Sequence, residues 1–136
     1  MAHKRQRDNA NSLSNVITGN AGANTLNGGA GTDVFVFNTP LGATNIDRIA
    51  DLNTVDDTMW LENDGIFQAF TSTGALAAGA YNTGPAAMEA DDRIVYNPLT
   101  GALLYDADGV GGVAGVQFAT LTDPTVALSS LDFIII

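Results

Sequence analysis

The residues in this chain that could do chemistry are oxygen donors, and they recur at a fixed interval. Written in nines, residues 10–18 read A-N-S-L-S-N-V-I-T, residues 19–27 read G-N-A-G-A-N-T-L-N and residues 28–36 read G-G-A-G-T-D-V-F-V. The third block has glycine at its first, second and fourth places, an acid at its sixth and a large apolar residue at its eighth. The second keeps Gly19, Gly22 and Leu26 and places Asn24 where the acid stands; the first keeps Asn15 and Ile17. Six residues of turn, where glycine opens left-handed backbone conformations, followed by three of strand predict strands that alternate between two stacked sheets. Blocks one and three then share an edge. Asn15 faces Asp33 across it, with backbone oxygens of Gly29 and Gly31 alongside. Hard oxygens on a flexible turn suit Ca2+, which takes about six to eight of them at roughly 2.3–2.6 Å.

Asn24 falls on the opposite edge, and its available partners follow Phe37: Asn45, Asp47 and Asp51. Asp47 and Asp51 have two readings, as ligands of a second ion or as local caps of a strand and a turn. Asp106 and Asp108, in D-A-D-G-V-G-G, do not make an EF-hand. With Asp106 as position 1, position 5 is Val110 and position 12 is Gln117, where a bidentate glutamate is required. They read as a hairpin turn or as a single-loop calcium site. The adjacent pairs Asp56-Asp57 and Asp91-Asp92 diverge along a strand and read as solvated turn charge.

Composition narrows the chemistry further. The 136 residues suit one domain, and 46% of them are hydrophobic, enough for a packed core. Cysteine is absent, which removes disulfides, thiolate metal sites and cysteine nucleophiles. Among the five basic residues, Lys4, Arg5 and Arg7 lie in the first seven positions, leaving Arg48 and Arg93 against all fifteen acids. Such a body repels nucleic-acid phosphates and attracts cations. No apolar run is long enough to span a bilayer, and no apolar stretch follows the basic residues as in a secretory leader. His3 is the only histidine, so there is no Ser-His-Asp set and no H-E-x-x-H; G-x-x-x-x-G-K is also missing. A non-enzymatic module is expected.

The elements that position these residues read as all-β. Residues 1–12 form a polar tail, and 13–136 a single domain: repeats over 10–36, then a cap over 37–136. Short apolar runs bounded by Asn, Asp, Gly or Pro stand at Val34–Phe37, Ile46–Ile49, Thr58–Leu61, Ile94–Tyr96, Leu103–Tyr105 and Val116–Ala119. Asn97-Pro98-Leu99-Thr100-Gly101 predicts a hairpin turn. Phe67–Ala80 holds at most one helical turn, because Gly74 and Gly79 oppose a longer helix. Leu128–Ile136 reads as a buried terminal strand. A short parallel β-roll capped by a β-sandwich-like region is the expected fold.

The three blocks in strict nine-residue phase resemble the calcium-binding nonapeptide repeats of repeats-in-toxin (RTX) exoproteins. The order of segments from residue 15 to 136 is similar to the C-terminal region of bacterial exoproteins exported by type I (ABC-transporter) systems, serralysin-like proteases among them. That resemblance implies Ca2+ as cofactor, and a last calcium shell completed by the acids of the D-x-I-x-D motif, Asp47 and Asp51. It also implies secretion to the extracellular space, with Asp132 and the following hydrophobics as the export signal read by the transporter. The second reading is an extracellular carbohydrate-binding or adhesive sandwich, with Trp60, Tyr81, Tyr96 and Tyr105 as a platform for polysaccharide. A third is an accessory C-terminal domain of a secreted enzyme.

Overall fold

The nine-residue alternation becomes a coil of parallel strands. A computed structural model of the chain describes residues 16–18, 22–29, 31–42, 44–54, 56–110, 112, 115–123 and 127–136. The predicted tail over 1–12 and the candidate ligand Asn15 lie outside the described residues. The first five strands among the described residues are β1 (Val16–Thr18), β2 (Thr25–Leu26), β3 (Val34–Phe37), β4 (Asp47–Ile49) and β5 (Thr58–Leu61). They pass alternately into two sheets. β1, β3 and β5 are parallel neighbours in one, and β2 and β4 are parallel neighbours in the other. Ile17 lies beside Phe35, eighteen residues on, so two nonapeptides make one coil. The next coil is looser. Phe35 meets Met59 and Leu26 meets Ile49, the extra residues being taken up in the connections that precede β4 and β5.

The remaining strands continue both sheets. β6 (Gly74–Ala75) and β7 (Tyr81–Thr83) are edge strands. β8 (Ile94–Asn97), β9 (Ala102–Tyr105) and β10 (Val116–Leu121) form an antiparallel meander, and β11 (Phe133–Ile135) ends the chain. β10 adds in parallel to β4, and β11 adds in parallel to β5 with β6 on its far side. The sheet orders are therefore β1-β3-β5-β11-β6 and β2-β4-β10-β9-β8-β7. The cap is thus an extension of the roll's own two layers. Among the described residues there is no α-helix. The alanine-rich stretch holds a 3-10 turn at Ala78–Ala80 and yields β6 where a helical turn had been the only expected element.

One core runs between the layers. Ile17, Leu26, Phe35, Ile49 and Met59, each at the inward strand position, join Phe118, Phe133 and Ile135 in a single buried cluster. Phe118 bridges roll and cap: its ring stands edge-on to Phe37 and to Phe67, both at 5.2 Å, and Phe67 is edge-on to Tyr105 at 5.1 Å. Edge-to-face rings at this spacing are favourable beyond their burial. The final strand is anchored at its entry by a capping box. Ser129 Oγ accepts the Leu131 amide, and Asp132 Oδ2 accepts the Ser129 amide at 2.8 Å. Phe133 and Ile135 then turn inward, so the expected terminal strand is a buried one.

The β8–β9 hairpin depends on one glycine. Gly101 has φ of 82°, and a Cβ there would strike the carbonyl oxygen of Leu121 on β10. Gly101→Ala should cost about 2 kcal/mol or more, through strain and forced separation of β9 from β10. A thermal melt monitored by far-UV circular dichroism should show a midpoint lower by several degrees.

Candidate metal centre

The sixth place of each repeat sits two residues before an inward apolar residue, on the same side of the strand. Asn24 precedes Leu26 in this way, Asp33 precedes Phe35, Asp47 precedes Ile49 and Asp57 precedes Met59. The parallel registers stack these positions in two columns, Asn24 over Asp47 at one edge of the roll and Asp33 over Asp57 at the other. Each lower acid reaches back one coil. Asp47 Oδ1 accepts the Asn24 amide, and Asp57 Oδ1 accepts the Asp33 amide, both at 2.9 Å. Asp57 Oδ2 also takes the Asn53 amide at 2.9 Å.

The glycine turn between β2 and β3 is gripped from the same direction. Asp51 receives the Gly28 amide on Oδ1 at 2.9 Å and the Gly29 amide on Oδ2 at 2.6 Å. Asp33 is fully buried, at 0% exposure, with its carboxylate folded against the Gly28 backbone; a Cβ at Gly28 would collide with Asp33 Oδ2. Only glycine leaves that space. Gly29 and Gly31 have φ of 76° and 91°, the left-handed values that bend the turn around the carboxylate. This cradle and its hard oxygen donors fit Ca2+, with Asp33 as the central carboxylate and Asp51 and Asp57 beside it.

Electrostatics point the same way. Burial raises the Asp57 carboxyl above its ordinary value; the Asn53 and Asp33 amides oppose this, while the charges of Asp33 and Asp51 push it further up. Burial likewise lifts Asp47 to about 6, against the pull of the Asn24 amide. The edge built from Asp33, Asp51 and Asp57 therefore holds three carboxylates, and Asp57 feels the charge of the other two. A divalent cation there would be attracted by all three.

The candidate residues are thus distributed over two edges and a distant loop. Asp33, Gly29, Gly31 and Asp51 share one edge, and Asn24 and Asp47 the other. Asp51 stands with Asp33, although its spacing in the sequence had grouped it with Asn24. The bonds of Asp47 and Asp51 span 23 or 22 residues rather than a local cap. Asp57, expected as solvated charge, is buried at 2% exposure and belongs to the ladder. Its signal was the D-T-M triplet, which keeps the acid-x-apolar spacing after the glycines have gone.

Asp106 and Asp108 lie after β9, remote in sheet order from β2. The Asp106 carboxyl is raised by burial, and the Asp108 side chain adds to the effect through a hydrogen bond and its charge. Their loop packs on the one before β8: a Cβ at Gly109 would meet the carbonyl oxygens of Glu89 and Ala90 at 2.5 Å. Among the described residues, Glu89, Asp91 and Asp92 form a group whose carboxylate oxygens lie within 4.8 Å of one another. Asp92, also expected to be solvated, is buried and accepts the Met88 and Glu89 amides at 2.8 and 2.9 Å. Arg93 donates to the Ala90 and Asp92 carbonyls beside it.

The four aromatic residues considered for a sugar platform do not share a surface. Tyr96 and Tyr105 are buried in the core, where the Tyr105 hydroxyl accepts the Ala69 amide at 2.7 Å. Tyr81 packs against Phe133, and Trp60 lies in the other sheet, alternating with the inward Met59 and Leu61.

Comparison with known proteins agrees with this geometry. Residues 9–38 match the family model of the RTX calcium-binding nonapeptide repeat in four copies. This part of the chain is an RTX-type region, and its repeats are known calcium-binding motifs. The chain matches no curated protein.

Two outcomes follow for the ion-free protein. Asp57→Ala strips the acceptor from the Asp33 and Asn53 amides and should cost about 2–4 kcal/mol, read as a lower urea midpoint. The acid shifts set a pH dependence. Asp47, Asp57, Asp106 and Asp132 all have raised folded values, so their contribution is present below the unfolded value near 3.9 and is lost as pH rises through the folded one. In chelator, the melting midpoint should be higher at pH 5 than at pH 7.5.

Proposed function

We propose that this chain is a secreted calcium-binding module of RTX type, exported by a type I (ABC-transporter) system and completing its fold on calcium outside the cell. The observation that carries the reading is Asp33, a carboxylate buried in a glycine turn and flanked by the charges of Asp51 and Asp57. The module is non-catalytic on this reading, and its cofactor is Ca2+.

The chain's own residues supply the switch. Fifteen acids against five basic residues oppose compaction when no cation is present. Four of the acids, Asp33, Asp47, Asp51 and Asp57, stand where coils stack, so closing the roll brings like charges together. Bound calcium supplies the counter-charge at that edge and binds the native state selectively. At a hundredfold excess over Kd, one site adds about 2.7 kcal/mol to stability. Where calcium is scarce the fold loses this stabilisation, which eases its unfolding for passage through a secretion channel.

The place of β11 supports the export part of the reading. The terminal Phe133–Ile135 strand lies between β5 and β6, with its inward side chains in the core. A transporter reading that segment must engage it before the sheet closes.

Calcium titration into chelator-treated protein, with magnesium as control, tests the proposal. Calcium should raise the melting midpoint by roughly 10 °C at saturation while magnesium has little effect, and Asp33→Ala should remove most of the increment. A melt indifferent to calcium would rule out the switch.

A further inference from the structure

We infer that Asp51 and Asp57 form a metal-independent clasp, which keeps the last nonapeptide turn and the strands after it folded without calcium and leaves the first coil to be ordered by calcium. The second half of this statement rests on the calcium reading above; the clasp itself does not.

The argument begins with backbone amides. A turn of six residues cannot pair its own N–H groups in a ladder, and a buried amide left unmet costs roughly 1–3 kcal/mol. Gly28 is buried, as is Asp33. Their amides, and that of Gly29, are met by carboxylate oxygens from the following coil: Asp51 takes Gly28 and Gly29, and Asp57 takes Asp33. Both oxygens of Asp51 are engaged on neighbouring amides, a two-pronged grip. Bonds to an ionised acceptor are about twice as strong as neutral ones. Asp57 uses its other oxygen on Asn53, which fixes the connection it projects from. These bonds are complete without an ion.

The clasped segment is also backed on its far side. β3 pairs with β5, β5 with β11, and β4 with β10, so coils two and three lie inside the two sheets. Among the described residues the first coil has no such support. β1 is a three-residue edge strand paired only to β3, and its Val16 is 66% exposed. β2 has two residues and pairs only with β4. Short edge strands are the first to open.

Hydrogen exchange of the full chain, followed by mass spectrometry in chelator and in calcium, separates the two ideas. Peptides covering β3 and β5 should exchange at least about tenfold slower than an unfolded control in chelator. Peptides containing β1 should slow about tenfold or more on calcium addition. Asp51→Ala should speed exchange around Gly28 and Gly29 about tenfold in chelator, and Asp51→Asn, which keeps one oxygen acceptor, should fall between. Unfolded-like exchange of β3 and β5 in wild-type protein without calcium overturns the clasp and leaves calcium binding intact. Unchanged exchange in Asp51→Ala also overturns it. Protection of β3 and β5 with no calcium response at any peptide overturns the calcium reading and leaves the clasp standing.

Discussion

The structure depends on how a stacked turn satisfies its amides. A strand inside a sheet hands its N–H groups to a neighbour, but the turns at a roll edge have no neighbouring strand to receive theirs. Here the acceptors are aspartates projecting from the next coil, Asp47 to Asn24, Asp51 to Gly28 and Gly29, and Asp57 to Asp33. This sets the coil spacing, demands glycine where the carboxylate lies against the backbone, and brings negative charge into a dry edge. The first two effects stabilise the fold. The third opposes it, and Asp57 shows the balance, its carboxyl raised by burial and by neighbouring charge while two amides pull it down.

That opposition links fold to function. An edge that must gather carboxylates to close its turns is also an edge that attracts a divalent cation. Structural capping and the attraction of a cation therefore draw on the same carboxylates, and their balance changes along the chain. At Asp33 the glycine cradle survives; by Asp57 the glycines have gone and the carboxylate serves backbone amides alone among the contacts described. Past that point the layers need no acids in the stacks. Ala119 of β10 occupies the register position beside Asp47, and the sheet continues through ordinary pairing. The cap continues the same two layers, and its buried acids Asp92, Asp106 and Asp132 lie outside the stacked columns.

Much of the fold was legible because its signals are local. The period of nine, the inward Ile17, Leu26 and Phe35, and the turn before Gly101 each follow from residues close in sequence. Position six of the complete repeat marked Asp33 for the same reason. Asp92 was not legible, since adjacent acid pairs look alike whether a strand or a turn buries one member, and Asp57 had only its D-T-M spacing to set it apart from Asp56. Nor was the partnership of Asp51 with the glycine turn, which spans more than twenty residues.

The sequence by itself determined that the chain is all-β, that its repeats coil two to a turn, and that its chemistry is that of hard oxygen donors. Glycine conformational freedom, strand alternation and charge are properties of single residues and short windows. Only the tertiary structure decided which coil each acid grips, that the cap extends the roll's own sheets, and that the C-terminal strand lies inside one of them. Those facts depend on registers between segments far apart in the chain. Burial of one shared core selects them, and no local pattern encodes them.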